Sequence, residues 1–128
     1  MVSVGKAKDL FWMGDSRKKL KGFPEDVREV MGYGLFLAEK GRKHPNAKPL
    51  KGFSGAGVLE IVEDHDGNTF RAVYTVKLAN AVYVLHAFQK KSKKGIATPK
   101  ADLDLIKDRL KQARQHHAER IKQQKREG

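Results

Sequence analysis

Between Val58 and Lys90 the chain carries three runs rich in Val, Ile, Tyr and Phe, separated by two short gaps. The runs are Val58 to Glu63, Thr69 to Lys77 and Ala81 to Lys90, and such runs are strand formers. Asp66-Gly67 sits in the first gap, and this dipeptide accepts the positive φ angles of a two-residue hairpin turn. The second gap, Leu78-Ala79-Asn80, leaves room only for another tight turn. An antiparallel meander follows, and few folds can be built around it.

The turns also predict a register. A two-residue turn at Asp66-Gly67 sets His65 opposite Asn68, Val62 opposite Arg71 and Glu60 opposite Val73. A two-residue turn at Ala79-Asn80 sets Thr75 opposite Val84, Val73 opposite His86 and Thr69 opposite Lys90. Side chains alternate across a strand. One face then holds Leu59, Ile61, Phe70, Ala72, Tyr74, Val76, Tyr83, Leu85 and Ala87. The other holds Glu60, Arg71, Thr75, His86 and Lys90 among Val58, Val62, Val73, Val84 and Phe88.

The flanks supply helices. Lys8 to Met13 reads as a short buried strand, and Asp15 as the cap of a short helix from Ser16 to Leu20. Phe23-Pro24-Glu25-Asp26 opens a longer helix, with proline in the first turn and two acids at the positive end of the dipole. Val27, Val30, Met31, Leu35 and Ala38 form its apolar stripe. Gly32 and Gly34 weaken it or allow close packing on a sheet, and Gly41 marks its end. Glu39 to Gly57 reads as a long loop. Thr98-Pro99 starts a last helix whose apolar face is Leu103, Ile106, Leu110 and Ala113. Beyond His117 that face fades, apart from Ile121. The expected class is α+β: an antiparallel sheet, two N-terminal helices on one face, and a C-terminal helix. Residues 1–121 form a single domain, and 122–128 a basic, disordered tail.

Composition narrows the partners. The chain has 128 residues, 39% of them apolar, enough for one modest core. It has 27 Lys and Arg against 15 Asp and Glu, a formal charge of +12. A small chain this basic is drawn to polyanions, with nucleic acid the first candidate. It has no cysteine, so disulfides, thiolate metal sites and cysteine nucleophiles are excluded. Met1 to Lys8 lacks the apolar core of a signal peptide, and no apolar run is long enough to span a bilayer. A cytoplasmic protein with no membrane partner is expected. His44, His65, His116 and His117 match no standard metal-ligand spacing, and no metal is expected.

The second sheet face is the candidate site. It carries an arginine, a histidine, a glutamate and a lysine. Lys40 to Lys51 runs into it without an acid, and Lys90-Lys91-Ser92-Lys93-Lys94 leaves it. Two cationic segments flanking a polar sheet surface suit a phosphate backbone.

Several segments occur in an order that resembles a known family. They are Lys48-Pro49-Leu50-Lys51-Gly52, Gly57-Val58-Leu59-Glu60, Phe70-Arg71-Ala72-Val73-Tyr74 and Tyr83-Val84-Leu85-His86-Ala87-Phe88-Gln89-Lys90-Lys91-Ser92. Phe23-Pro24-Glu25 and Gly95-Ile96-Ala97-Thr98-Pro99 fit the same pattern. Over residues 8 to 113 the chain resembles the phage-derived, Gp49-like branch of the RelE/HigB toxins of type II toxin–antitoxin modules. The resemblance implies a compact RelE/ParE-like fold and an antitoxin partner carrying a helix-turn-helix domain. It also implies a ribosome-dependent mRNA endonuclease that needs no metal or other cofactor, in which the ribose 2′-hydroxyl attacks the neighbouring phosphate. It assigns Arg71 to the phosphate, Lys51 to charge stabilisation or proton abstraction, and Lys90 with Lys91 to the RNA backbone. Lys48, Lys93 and Lys94 extend that backbone contact. His86 is the candidate acid or base, since its reference pKa of ~6.5 suits either role.

Each residue has a plainer reading. Arg71 pairs with Glu60, His86 is a hydrogen-bonded structural histidine, and the lysines are a solvated surface. The tyrosine or histidine often found near the C-terminus in such sites is replaced here by Ile96-Ala97-Thr98. Two other functions therefore stay open: a ParE-like toxin of DNA gyrase that cuts nothing, and a non-catalytic RNA-binding protein.

Overall fold

A computed structural model describes residues 7–53, 55–90 and 98–127. The elements run β1 (Asp9–Trp12), α1 (Ser16–Lys21), α2 (Glu25–Glu39), β2 (Ala47–Pro49), β3 (Val58–His65), β4 (Asn68–Thr75), β5 (Ala81–Lys90) and α3 (Lys100–Glu127). The strands form one sheet in the order β1-β5-β4-β3-β2. The α+β class stands, and the β3–β4–β5 meander is present.

The first hairpin has the expected register, with His65 opposite Asn68, Val62 opposite Arg71 and Glu60 opposite Val73. Asp66 and Gly67 have φ of 49° and 79°, the positive angles a two-residue turn between right-twisting strands needs.

The second hairpin departs from expectation. Thr69 opposes Lys90 and Val73 opposes His86, but Tyr74 then opposes Val84. Leu85 is the extra residue of a β-bulge, and a one-residue slip moves every later side chain to the other face. Tyr83 and Leu85 therefore pack with Val58 and Val73, while Val82 and Val84 join Ile61, Ala72 and Tyr74. The turn spans more than two residues, since β4 stops at Thr75 and β5 starts at Ala81.

Three further features correct the sequence reading. The sheet is mixed, because β1 pairs in parallel with β5 from Asp9 opposite Ala81 to Trp12 opposite Val84. The long loop contains β2, antiparallel to β3, with Lys48 opposite Glu60. Helices cover both faces. Leu20, Phe23, Val27, Met31, Leu35 and Ala38 from α1 and α2 fill one core. Ile106, Leu110 and Ala113 of α3 pack on the opposite face with Val58, Val73, Tyr83 and Leu85.

The last helix also runs further than its apolar stripe implies, to Glu127, and residues 122–127 are helical and exposed rather than a disordered tail. Side-chain contacts tie its second half down. His117 is buried one turn beyond Ala113. The Tyr83 hydroxyl lies 2.6 Å from His116 Nδ1, and Arg120 pairs with Asp9 and sits over the Phe11 ring.

Gly34 shows how closely α2 approaches the sheet. A Cβ there would collide with Ile61 Cδ1, whereas one at Gly32 would meet nothing. Gly34→Val is expected to cost about 1–3 kcal/mol through overpacking, and Gly32→Ala to be neutral or stabilising. Urea midpoints of the two variants check this contrast.

Candidate functional site

Glu60 and Arg71 form the centre of the second face. They are 3% and 9% exposed. Arg71 Nη1 donates to both carboxylate oxygens of Glu60, at 2.9 and 3.0 Å. Their adjacency follows from the hairpin register, which places Val62 opposite Arg71 and so sets Glu60 one diagonal step away. Among the described residues Arg71 Nε is buried without a hydrogen-bond partner. Lys48 reaches the same carboxylate from the edge strand, Nζ to Oε1 at 3.8 Å.

Lys90 completes this group from the end of β5. It is buried, and burial together with the Arg71 guanidinium pushes its ammonium below the ordinary lysine value, against the opposing pull of Glu60 and Asp102. A cation held in this way releases its proton more readily than a surface lysine.

His86 belongs to a second group. Its Nε2 lies 2.8 Å from Asp102 Oδ1, in the first turn of α3, and its ring stacks on Phe88 at 4.7 Å. Beside it, Arg109 of α3 donates to the carbonyl of the bulge residue Leu85 at 3.0 Å and to Asp15 Oδ1 at 2.8 Å. Asp15 thus stands at the N-cap position of α1 but makes no side-chain cap there, and its carboxylate is spent on Arg109, which lowers its pKa. The charges that act on His86 are those of Asp102, Arg109 and Asp15.

The expected site therefore divides. Arg71, Lys90 and Lys48 come together around Glu60, and His86 is turned to the other group. Asp102 bears on both, being hydrogen-bonded to His86 and coulombically linked to Lys90. Lys51 is exposed and stands apart. Leu50 is bonded at Val58, four residues along β3 from the partner of Arg71, roughly 13 Å at ~3.3 Å per residue. Lys91, Lys93 and Lys94 lie outside the described residues.

Sequence reasoning missed Asp102 and Arg109. Asp102 had a signal, as the first acid after the Thr98-Pro99 helix start. Arg109 had none, because its partners are a bulge carbonyl and an acid 94 residues away.

Residues 18–111 match the family described as phage derived protein Gp49-like (DUF891). The chain belongs to this Gp49-like family. No curated protein and no solved structure matches it. The matched segment of this Gp49-like protein runs from within α1 to the middle of α3, and contains the Glu60 group and, of the second group, His86, Asp102 and Arg109 but not Asp15. Among the described residues no helix is long and apolar enough to cross a membrane.

The buried imidazoles give the Gp49-like chain a pH dependence. Burial, the leading cause, holds His86 below 6.5 against Asp102, and holds His117 below 6.5 with help from Arg120 and His116. The unfolded chain therefore binds more protons just beneath pH 6.5. Stability is expected to fall as pH drops through that window, by up to about 1.4 kcal/mol per pH unit per imidazole. The loss ends once both folded-state imidazoles are charged. Urea unfolding at pH 7.5, 6.5 and 5.5 measures the slope, and His117→Gln should flatten it.

Proposed function

We propose that this protein is the toxin of a toxin–antitoxin module and cuts mRNA at the Glu60–Arg71–Lys90 centre. Membership of the Gp49-like family, which is associated with such toxins, supports the first part. The observation that carries the second is the buried ion pair with an unsatisfied guanidinium nitrogen and a depressed lysine beside it. Burying two ions rarely adds stability over apolar residues of the same size. Strained electrostatics of this kind concentrate at functional sites.

The chemistry follows from what the groups can do. A Glu60 carboxylate accepts the ribose 2′-hydroxyl proton as O2′ bonds to phosphorus. The guanidinium of Arg71 steadies the charge on the phosphorane, gripping two oxygens through its fork. The P–O5′ bond breaks as the Lys90 ammonium gives its proton to O5′. The products are a 2′,3′-cyclic phosphate and a 5′-hydroxyl. Proton exchange with solvent restores Glu60 and Lys90. Lys48, with the lysines that follow Lys90, holds the flanking backbone. Lys51 is left outside the centre as a backbone contact.

A ribosome-bound message is the proposed substrate, and an antitoxin with a helix-turn-helix domain the proposed partner, acting in the cytoplasm. The test is mapping of 5′ ends on cellular mRNA after brief induction. In-frame cuts in translated messages, absent with Arg71→Ala, are the expected result. Arrested growth without cuts, and with altered DNA supercoiling, would move the reading to a gyrase poison.

A further inference from the structure

We propose that one flank of α3 is a docking ridge for the phosphate backbone of double-helical RNA. The choice of RNA rests on the RNA-cleavage reading, and the location on separate observations. α3 runs for 28 residues, but its buried residues, Ile106, Leu110, Ala113 and His117, end well before Glu127. Residues 118–127 are exposed apart from the half-buried Arg120 and Ile121. A stretch like this has no apolar face to bury. Among the described residues no ion pair between its own side chains holds it, since Arg120 pairs with Asp9. Residues 112–127 also lie beyond the segment matched by the Gp49-like family, so the shared fold does not account for them.

What this part of α3 does carry is segregated charge. Lys107, Lys111 and Arg114 follow one another at helical spacing, as do Lys122 and Lys125 after Ala118. At 3.6 residues per turn the five cations fall within an arc of about 80°, about 110° around the helix from the buried residues. All five are exposed. The ridge they form is ~27 Å long at ~1.5 Å per residue. Asp108 and Glu119 fall outside the arc, and Asp104, just before Lys107, is paired with Lys100 at 2.9 Å. Lys111, Arg114, Lys122 and Lys125 have no hydrogen bond or ion pair among the described residues. Like charges three and four residues apart weaken a helix. A helix that needed only solubility would interleave acids along this flank.

The occupant follows from the charge and from what the ridge lacks. A straight row of unpaired cations fits a polyanion with regularly spaced charges. No aromatic side chain stands on the arc, so the ridge has no platform on which the bases of a single strand could stack. Double-helical RNA keeps its bases inside and is recognised largely by its shape and its backbone. The near end of the ridge faces the proposed chemistry. Lys107 stands five residues along α3 from Asp102, which acts on Lys90, a rise of roughly 7 Å. The ridge thus leads outward from the cleavage centre.

The experiment titrates the full chain with a fluorescent RNA hairpin longer than the ridge, reading anisotropy at several salt concentrations. Exchanging Lys111, Arg114, Lys122 and Lys125 together for Gln should weaken binding about tenfold or more. The slope of log affinity against log salt should shrink by about three to four, close to one for each lost phosphate contact. Gln is a good helix former, and circular dichroism checks that α3 is intact. A matched control exchanges Arg17, Lys19, Lys21 and Arg28, exposed cations of α1 and α2, for Gln. It removes the same charge and should leave the salt slope close to wild type. Equal losses in the two variants would reduce the effect to net charge and overturn the proposal, as would an unchanged ridge variant. A single strand of the same length bound as tightly as the hairpin, or a DNA duplex bound more tightly, would overturn the assignment to double-helical RNA. Ridge-dependent binding by a chain that cuts no message would keep the ridge and remove the nuclease reading. Message cleavage by a chain whose ridge variant binds like wild type would do the reverse.

Discussion

Exchanging Glu60 for alanine is expected to lower folding stability by about 3–5 kcal/mol, the usual cost of breaking a buried ion pair from one side. The side chain is nearly inaccessible, and so are the two cations it faces, Arg71 and Lys90. Without the carboxylate those cations face each other with water largely excluded. Lys48 cannot substitute, and its own loss should matter little. Its side chain is 62% exposed and its nitrogen stands 3.8 Å away, the kind of contact worth about 0–1 kcal/mol. Against a typical total of about 5–15 kcal/mol, the Glu60 loss would leave a marginal protein.

The double exchange separates stability from function. Glu60→Leu with Arg71→Met removes both desolvated charges and should recover most of the loss, because an apolar pair of similar volume avoids the burial cost. Urea midpoints at unchanged m-value measure both effects. A Glu60→Ala cost below about 1 kcal/mol would mean that the pair is not closed in solution. A double variant that folds well and cuts no RNA would show the pair to be kept for chemistry rather than for stability.

What the sequence reveals here is local, and what it hides is non-local. Asp66-Gly67 sets its hairpin register outright, and that register alone brings Glu60 and Arg71 within pairing distance. The second turn gave no comparable constraint. Leu78-Ala79-Asn80 admits turns of several lengths, so the bulge at Leu85 was not legible, nor was the resulting exchange of Tyr83 and Leu85 for Val82 and Val84. The parallel β1–β5 pairing joins strands about 70 residues apart, and no turn chemistry announces it. The division of the site has the same origin. His86 shares a face with Arg71 in the register, but its ring goes to Asp102, a residue of α3 whose docking no strand pattern encodes. The apolar stripe of α3 fades beyond His117 in the sequence, and a histidine there gives no sign that its imidazole is buried one turn beyond Ala113.

The largest effect on activity is expected at Lys90. Its proposed task is to protonate the departing O5′, and general acid catalysis is worth about 10²–10⁴ in rate. Lys90→Arg keeps the positive charge beside Glu60 but cannot give up a proton near neutral pH. Cleavage of translated message in a purified translation system should therefore fall at least about 100-fold with the variant still folded and still bound to the ribosome, and the unfolding midpoint reports separately the cost of fitting the larger guanidinium at this buried position. The pH profile carries a second signature. Burial and Arg71 hold the Lys90 ammonium below 10.5, and the acid must be charged to act. The wild-type rate should fall as pH rises through that lowered value, and the limb should vanish in Lys90→Arg. A variant that cuts at nearly the wild-type rate, with the limb in place, would show that Lys90 supplies charge only. The proton for O5′ would then have to come from water held at the Arg71 fork.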